Sequence, residues 1–199
     1  EDHPAREFCV QYGESDLAFL ARLWAEEGIF FFERFAADSP EQKLTLCDDV
    51  AGLSQAGELP FNPDTSAGAE TEWVSMFRYE AYVRPSSVQS QDYTFKVPDW
   101  PGMYEQQGEN LNGQLEQYEI FDYPGRYKDE QHGKDFTLYQ MESLRSDAEK
   151  ATGQSNSPKL WPGTRFTLTG HPQKMLNREW QVVQSILSGD QPQALHGSQ

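Results

Sequence analysis

Cys9 to Phe35, CVQYGESDLAFLARLWAEEGIFFFERF, is the stretch whose reading decides the fold. Ser15 stands where a helix N-cap stands, and Asp16 follows in the first turn. A hydroxyl there accepts from an orphan backbone N–H, and an early carboxylate suits the positive helix end. Ala18 occupies the third helical position, so the reciprocal capping box is absent. Leu17, Leu20, Ala21 and Trp24 recur at helical spacing, and Phe19 and Leu23 widen the stripe. Such a face predicts burial against a sheet or another helix. Gly28 supplies the left-handed residue that ends helices at little cost. Ile29 to Phe32 is wholly apolar and predicts a short strand covered on both faces.

Outward from that block, the chain reads as β-rich. Lys43 to Cys47 alternates as a strand does and forms a plausible hairpin with Ile29–Phe35. Residues 52 to 70 are rich in Gly, Pro, Ser and Ala and read as a loop. Trp73 to Val83 alternates along a long half-buried strand, and Tyr93, Phe95 and Val97 line a second, so the two read as a hairpin. Residues 103 to 114 lack periodicity and are a candidate joint. Leu115 to Phe121 reads as a strand. Phe136, Tyr139, Leu144, Ala148 and Ala151 fit a second helix near 135–151, stopped by Gly153, with Arg145–Glu149 as an exposed pair. Phe166–Leu168 and Trp180–Leu187 are the final strands. The last is apolar on both faces at Val182, Val183, Ile186 and Leu187, which suggests that one side meets another subunit. Trp100-Pro101-Gly102, Tyr123-Pro124-Gly125 and Trp161-Pro162-Gly163 read as three type II turns, with positive φ expected at Gly125 and Gly163 and the aromatics packed beside them.

Composition narrows the function. Sixteen Lys and Arg stand against 32 Asp and Glu among 199 residues, a formal charge of −16. Nucleic-acid binding rests on phosphate neutralisation by Lys and Arg, and an anionic membrane repels such a chain. The densest basic spots are the pairs Arg78 with Arg84 and Arg126 with Lys128. No apolar run approaches a membrane span, and nothing near residue 1 resembles a signal peptide. Cys9 and Cys47 are isolated, and the first expectation is two buried free thiols rather than a disulfide.

Chemistry needs a converging set of groups. Glu26 and Glu27 invite an acid–base reading, but adjacent helical residues point about 100° apart, and two charges at a solvated helix end is the plainer reading. His3, His132, His171 and His196 are too scattered for local metal-ligand spacing, and His171 reads as a turn histidine. No G-x-S-x-G, H-E-x-x-H, P-loop or EF-hand pattern is present. A carboxylate glycosidase acting on cell wall stays open as an alternative, because its two acids can come from any part of a chain. The expectation is therefore no catalytic, cofactor-binding or metal-binding residues.

The opening block resembles the "QYxESDxxFxxRLxEEEGIxYxF" block of the VgrG (valine-glycine repeat) spike proteins of type VI secretion systems. Leu44–Asp49 (LTLCDD), Asp92–Pro98 (DYTFKVP), Tyr118–Tyr127 (YEIFDYPGRY), Leu160–Pro172 (LWPGTRFTLTGHP), Asn177–Val183 (NREWQVV) and Gln191–Leu195 (QPQAL) are similar to further family segments in the same order. The resemblance implies an α+β, β-rich fold with barrel-like subdomains and flanking helices, similar to the hub of contractile phage tails. It implies a first hub part over 1–102, a joint over 103–114 and a second barrel-like part with a flanking helix over 115–199. It implies a structural component that caps a tube and carries the needle and effectors. Its partners would be its own copies as a homotrimer, the tube ring protein, and needle and effector segments, with no nucleic acid and no membrane insertion. Assembly would be cytoplasmic, with no signal peptide, and export would follow on firing. A phage tail baseplate hub is the alternative that shares these mechanics. The family's preceding barrel-like segment, its oligosaccharide-binding-type domain and its β-helical needle lie outside this sequence.

Overall fold

The computed structural model describes residues 3, 5–6, 9–35, 40–64, 71–111 and 113–189. In chain order the elements are α1 (Asp16–Glu26), β1 (Phe30–Phe35), β2 (Gln42–Cys47), β3 (Ser54–Pro60), β4 (Val74–Ala81), β5 (Ser87–Gln91), β6 (Met103–Gln107), β7 (Glu119–Asp122), α2 (Glu130–Arg145), β8 (Glu149–Ser155), β9 (Thr164–Thr169) and β10 (Glu179–Val182). The fold is α+β and β-rich, and the described residues form four small sheets: β1-β2, β10-β9-β3, β4-β8 and β6-β5-β7. The backbone groups into two compact units that interleave in sequence. The first draws on the described residues of 1–31, 46–50 and 79–151, and the second on those of 32–45, 51–78 and 152–199.

In the first unit, Ser15 caps α1 as its sequence requires, with φ −73° and ψ 161°, and its Oγ accepts from Ala18 N–H at 3.3 Å. At the other end Gly28 takes φ +69°. The Ile29 N–H then reaches Trp24 O at 2.8 Å and the Gly28 N–H reaches Ala25 O at 3.3 Å, a doubly closed helix end. A Cβ on Gly28 would lie 2.9 Å from the Tyr139 ring of α2, so the same glycine permits close approach of the helices. Strand β5 is central in its sheet, antiparallel to β6 and parallel to β7. Helix α2 packs over β5 and β6, and Thr137 and Met141 of the helix and Val88 of β5 are buried. Tyr127 is buried beside Trp100 and Tyr104, and its hydroxyl donates to Gly102 O at 3.0 Å.

In the second unit, β9 is central, antiparallel to β10 and parallel to β3. Leu168, Phe166, Leu59 and Leu176 form its core, with Trp73 and Val74 buried beside them. Phe77 meets Trp180 edge-on at 5.0 Å. Gly163 takes φ +84°, and its N–H donates to Val182 O at 3.1 Å.

Several expectations change. The second helix spans Glu130–Arg145, not 135–151, because Asp129 caps it by accepting from His132 N–H at 3.0 Å. Residues 149–155 are strand β8, paired with β4, and Gly153 lies inside it. Arg145 and Glu149 do not share a helix face: Arg145 ends α2 and donates to Pro85 O at 3.0 Å, and Glu149 begins β8 and accepts from Tyr79 OH at 3.0 Å. Strand β4 pairs with β8 rather than with 93–97; β5 supplies the strand at Ser87–Gln91, and Tyr93, Phe95 and Val97 are exposed on turns. The expected loop over 52–70 contains β3, whose parallel partner β9 lies a hundred residues away. The expected joint over 103–114 contains β6. The strand expected over 115–121 is β7, Glu119–Asp122. Strand β1 is covered on one face only, since Phe31 and Phe35 are exposed. The last strand stops at Val182. Residues 190–199, including His196 and the QPQAL segment, lie outside the described residues.

Candidate functional site

The acidic pair at the end of α1 is the centre of a charge network in the first unit, not a solvated helix end. Glu27 is only 8% exposed. Arg6 donates through Nη1 to Glu26 Oε2 at 2.5 Å, and through Nη2 and Nε to Glu27 Oε1 at 2.6 and 3.1 Å. The His3 ring lies 3.4 Å from Glu27 Oε2 and 3.2 Å from Asp48 Oδ2. Arg22 lies 2.7 Å from Glu14 and 3.8 Å from Glu26. Arg126 approaches Glu26 Oε1 at 3.0 Å and Asp122 Oδ2 at 3.2 Å.

The electrostatics explain the arrangement. Two carboxylates at a helix C-terminus meet its partial negative charge, which is unfavourable unless cations surround them. Three arginines do so. For Arg6 the largest influence is burial, which pulls its proton affinity down. Hydrogen bonds and charge from Glu26 and Glu27 outweigh it, so the guanidinium is held above its ordinary range. At the exposed rim, the Arg22 hydrogen bond holds Glu14 below the ordinary carboxylate range. Every carboxylate oxygen of the pair is thus turned to a guanidinium or imidazole, which offsets the unfavourable helix end.

Sequence reasoning did not see this convergence, because its members come from Arg6, α1, Asp48 and the turn after β7. That turn departs from the expected type II geometry. The Tyr123–Pro124 peptide is cis, Arg126 takes φ +66°, and Gly125 is not at positive φ. Gly125 is walled in instead: a Cβ would lie 2.2 Å from the Tyr127 ring and 2.6 Å from Ser90 Oγ. The left-handed backbone at Arg126 aims its side chain at Glu26. Tyr123 is exposed rather than packed, while Trp161 is part-covered by Phe35 at 5.4 Å between centroids.

The other candidates are placed apart. His132 Nδ1 lies 2.5 Å from Asp129 Oδ2 at the start of α2. His171 sits in a turn, where Asn177 Oδ1 accepts its backbone N–H at 2.7 Å and its ring meets Phe61 edge-on. Cys9 is exposed and Cys47 half-buried, and both are free, which corrects the expectation of two buried thiols. Arg84 is committed to Asp147, and Lys128 lies 3.7 Å from the buried Asp92. A cleft of about 440 Å³ in the first unit is lined by Ala25, Glu26, Arg126, Phe136, Gln140 and Leu144. Among the described residues no cluster of His, Cys, Asp or Glu has the makings of a metal site. No described helix is long and apolar enough to cross a membrane.

The more distinctive surface is in the second unit. Strand β10 lies at the edge of its sheet, and residues 183–189 have no regular structure. Val183 is 77% and Ile186 89% exposed there. Trp180 to Gly189 carries no charged residue, in a chain that is 24% charged.

The phage tail baseplate hub (GPD) family matches residues 1–193, and the chain belongs to that family. The relatives it matches include the actin cross-linking toxin VgrG1 of Vibrio cholerae, 40% identical over 195 residues (98% of this chain, 18% of the relative). They also include the type VI secretion system spike protein VgrG3 of Vibrio cholerae, 39% identical over 193 residues (96% and 19%). A third is the spike protein VgrG2b of Pseudomonas aeruginosa, 34% identical over 194 residues (96% and 19%). The chain therefore spans about a fifth of the length of these relatives. Among solved structures, the E. coli c3393 protein is described as a component of the type VI secretion system with structural similarity to the T4 bacteriophage tail proteins gp27 and gp5. It aligns with a TM-score of 0.49 at 21% identity, over 86% of this chain and 32% of that one.

Proposed function

We propose that this chain is a structural, non-catalytic hub segment of a contractile injection machine, the base of a type VI secretion spike. In this role it caps the tube and carries the needle and its effectors, in contact with other copies of itself, as a homotrimer, and with the tube ring. It assembles in the cytoplasm and leaves the cell when the machine fires. Family membership and the relatives named as spike proteins support the reading. The observation that carries it is the charge-free run Trp180–Gly189, continuing from an edge strand with Val183 and Ile186 bare. Soluble proteins limit contiguous exposed apolar surface, so an uncharged stretch with bare Val183 and Ile186 on a chain of charge −16 fits an assembly contact.

The test places Val183→Glu and Ile186→Glu together in the full-length gene and follows export of tube and spike. Lost export with the fold intact by circular dichroism is the expected result. Normal export, or hydrolysis of peptidoglycan by the purified chain, would overturn the reading. Gene neighbours separate a secretion spike from a phage tail baseplate hub, the alternative that the family's description names.

A further inference from the structure

We propose that residues 183–188 of one copy pair, as an added strand, with the outer edge of β7 in the next copy. This deepens the contact between copies stated above and rests on it. Among the described residues β7 is an edge strand, in the order β6-β5-β7. Tyr118 O accepts from Ser86 N–H at 2.7 Å, and Tyr118 N–H donates to Ser86 Oγ at 3.0 Å. The backbone groups of Tyr118, and by alternation those of Ile120, thus turn toward β5. Those of Glu119 and Phe121 turn outward, two donors and two acceptors without a partner among the described residues. Such an edge is a template for a further strand. Beside it lies a shallow hollow of about 530 Å³, lined by Val83, Pro85, Tyr118 and Ile120 among others.

Charge and backbone select the occupant. Each copy carries −16, and Glu116 and Glu119 stand at this edge, so an acidic segment of a second copy is repelled there. Trp180–Gly189 has no charge to repel. Residues 183–189 make no hydrogen bond among the described residues, so their backbone is available for pairing. Extended at roughly 3.3 Å per residue, residues 183–188 reach about 20 Å, more than the four residues of β7 require. A strand there puts Val183 and Leu187 on one face and Ile186 on the other. Val183 and Leu187 meet the hollow on the Tyr118 and Ile120 side. Ile186 lies over the exposed Phe121, on the opposite face of β7. The donating stretch and the accepting edge are different surfaces, so the contact is heterologous. Contacts of that kind build rings or filaments, not two-fold pairs.

Disulfide trapping reads the contact, because a disulfide needs Cα atoms within about 7 Å of each other. In a Cys9→Ser, Cys47→Ser background, one chain carries Ile186→Cys and an isotopically heavier one carries Phe121→Cys. The two are mixed, mildly oxidised and read by mass spectrometry. Linked pairs of unlike chains are expected in about tenfold excess over linked pairs of like chains. Unlike pairs without an excess overturn the proposal. Linkage within a single dilute chain that carries both substitutions also overturns it, since the stretch would then seat on its own copy. Glu119→Pro removes an outward donor and no ladder bond, so with unchanged circular dichroism it should abolish the excess. Val183→Glu, at an exposed position, should do the same whatever Glu119→Pro does to folding. An excess that survives Val183→Glu overturns the pairing. Absent linkage together with export lost in the Val183→Glu, Ile186→Glu gene refutes this pairing alone and leaves the hub reading standing.

Discussion

Replacing Gly163 by alanine should destabilise the second unit by about 2–4 kcal/mol through two separable terms. The first is backbone. Gly163 sits at φ +84°, where a Cβ clashes with the following carbonyl, at a cost of about 1–2 kcal/mol. The second is contact. A Cβ there would lie 2.2 Å from Phe32 Cε2 and 2.3 Å from Cδ2, well inside van der Waals contact, so the half-buried ring must move. Overpacking of this kind costs about 1–3 kcal/mol, toward the low end here because a ring can swing. In a domain of this size the sum corresponds to a fall of about 5–15 °C in Tm. Urea melts followed by tryptophan emission give the free energies, and Phe32→Ala supplies the second leg of a double-mutant cycle. In the Phe32→Ala background only the backbone term remains, so Gly163→Ala should cost about 1–2 kcal/mol less than in the parent. An equal cost in both backgrounds would refute the contact argument. A cost below about 0.5 kcal/mol in the parent would refute both terms.

Three further outcomes are expected. Arg84 hydrogen-bonds Asp147 and lowers its pKa to about 2, so the pair's contribution is present above the ordinary carboxylate range and is lost as pH falls through about 2. The difference in urea midpoint between the parent and Asp147→Asn should therefore be positive at neutral pH and vanish near that value; a difference independent of pH would contradict it. Leu168 is fully buried at the centre of the second unit, so Leu168→Ala should lose about 2–5 kcal/mol in denaturant melts with an unchanged m-value. Ile186→Glu should leave stability within about 0.5 kcal/mol, since the residue is 89% exposed, and a larger loss would show that Ile186 packs within the chain.

What could be read from the sequence is what is settled within one turn of chain. The Ser15 cap and the Gly28 stop of α1 need only neighbours, and both stand as read. The hairpin β1-β2 follows from adjacent strands. The strand β3 carries Ser, Gln, Gly and Pro and has no strand signature of its own. It exists because β9 offers a parallel partner, and Leu59 is buried by that pairing. At the second helix, the apolar spacing of Ala148 and Ala151 continued the helical pattern past its true end. The competing local signal, Asp129 as a cap, was in the sequence and marks the correct start. The Tyr-Pro-Gly-Arg turn fails as a type II turn for a tertiary reason: Tyr127 and Ser90 close on Gly125, and the positive φ moves to Arg126.

That displacement of one residue is what builds the charge network. Arg126 with an extended backbone would share the strand-like heading of its neighbours; in the left-handed region it turns to Glu26, a hundred positions earlier in the chain. The two stretches that most strongly carry the family resemblance, Cys9–Phe35 and Tyr118–Tyr127, are thus parts of one contact. No periodicity or spacing could reveal it, since each side looks complete alone: a helix end with two acids, and a turn with a basic residue. The acids are retained at an unfavourable helix terminus because the turn brings an arginine to them. The turn, in turn, is held against α1 by those acids. A substitution on either side should therefore loosen the other, and Arg126→Ala should make the Glu26–Glu27 pair depend more heavily on Arg6 and Arg22. In a double-mutant cycle that dependence is visible as a larger cost of Arg22→Ala in the Arg126→Ala background than in the parent. An equal cost in both backgrounds would mean that the turn supports the helix end through backbone position rather than through shared charge.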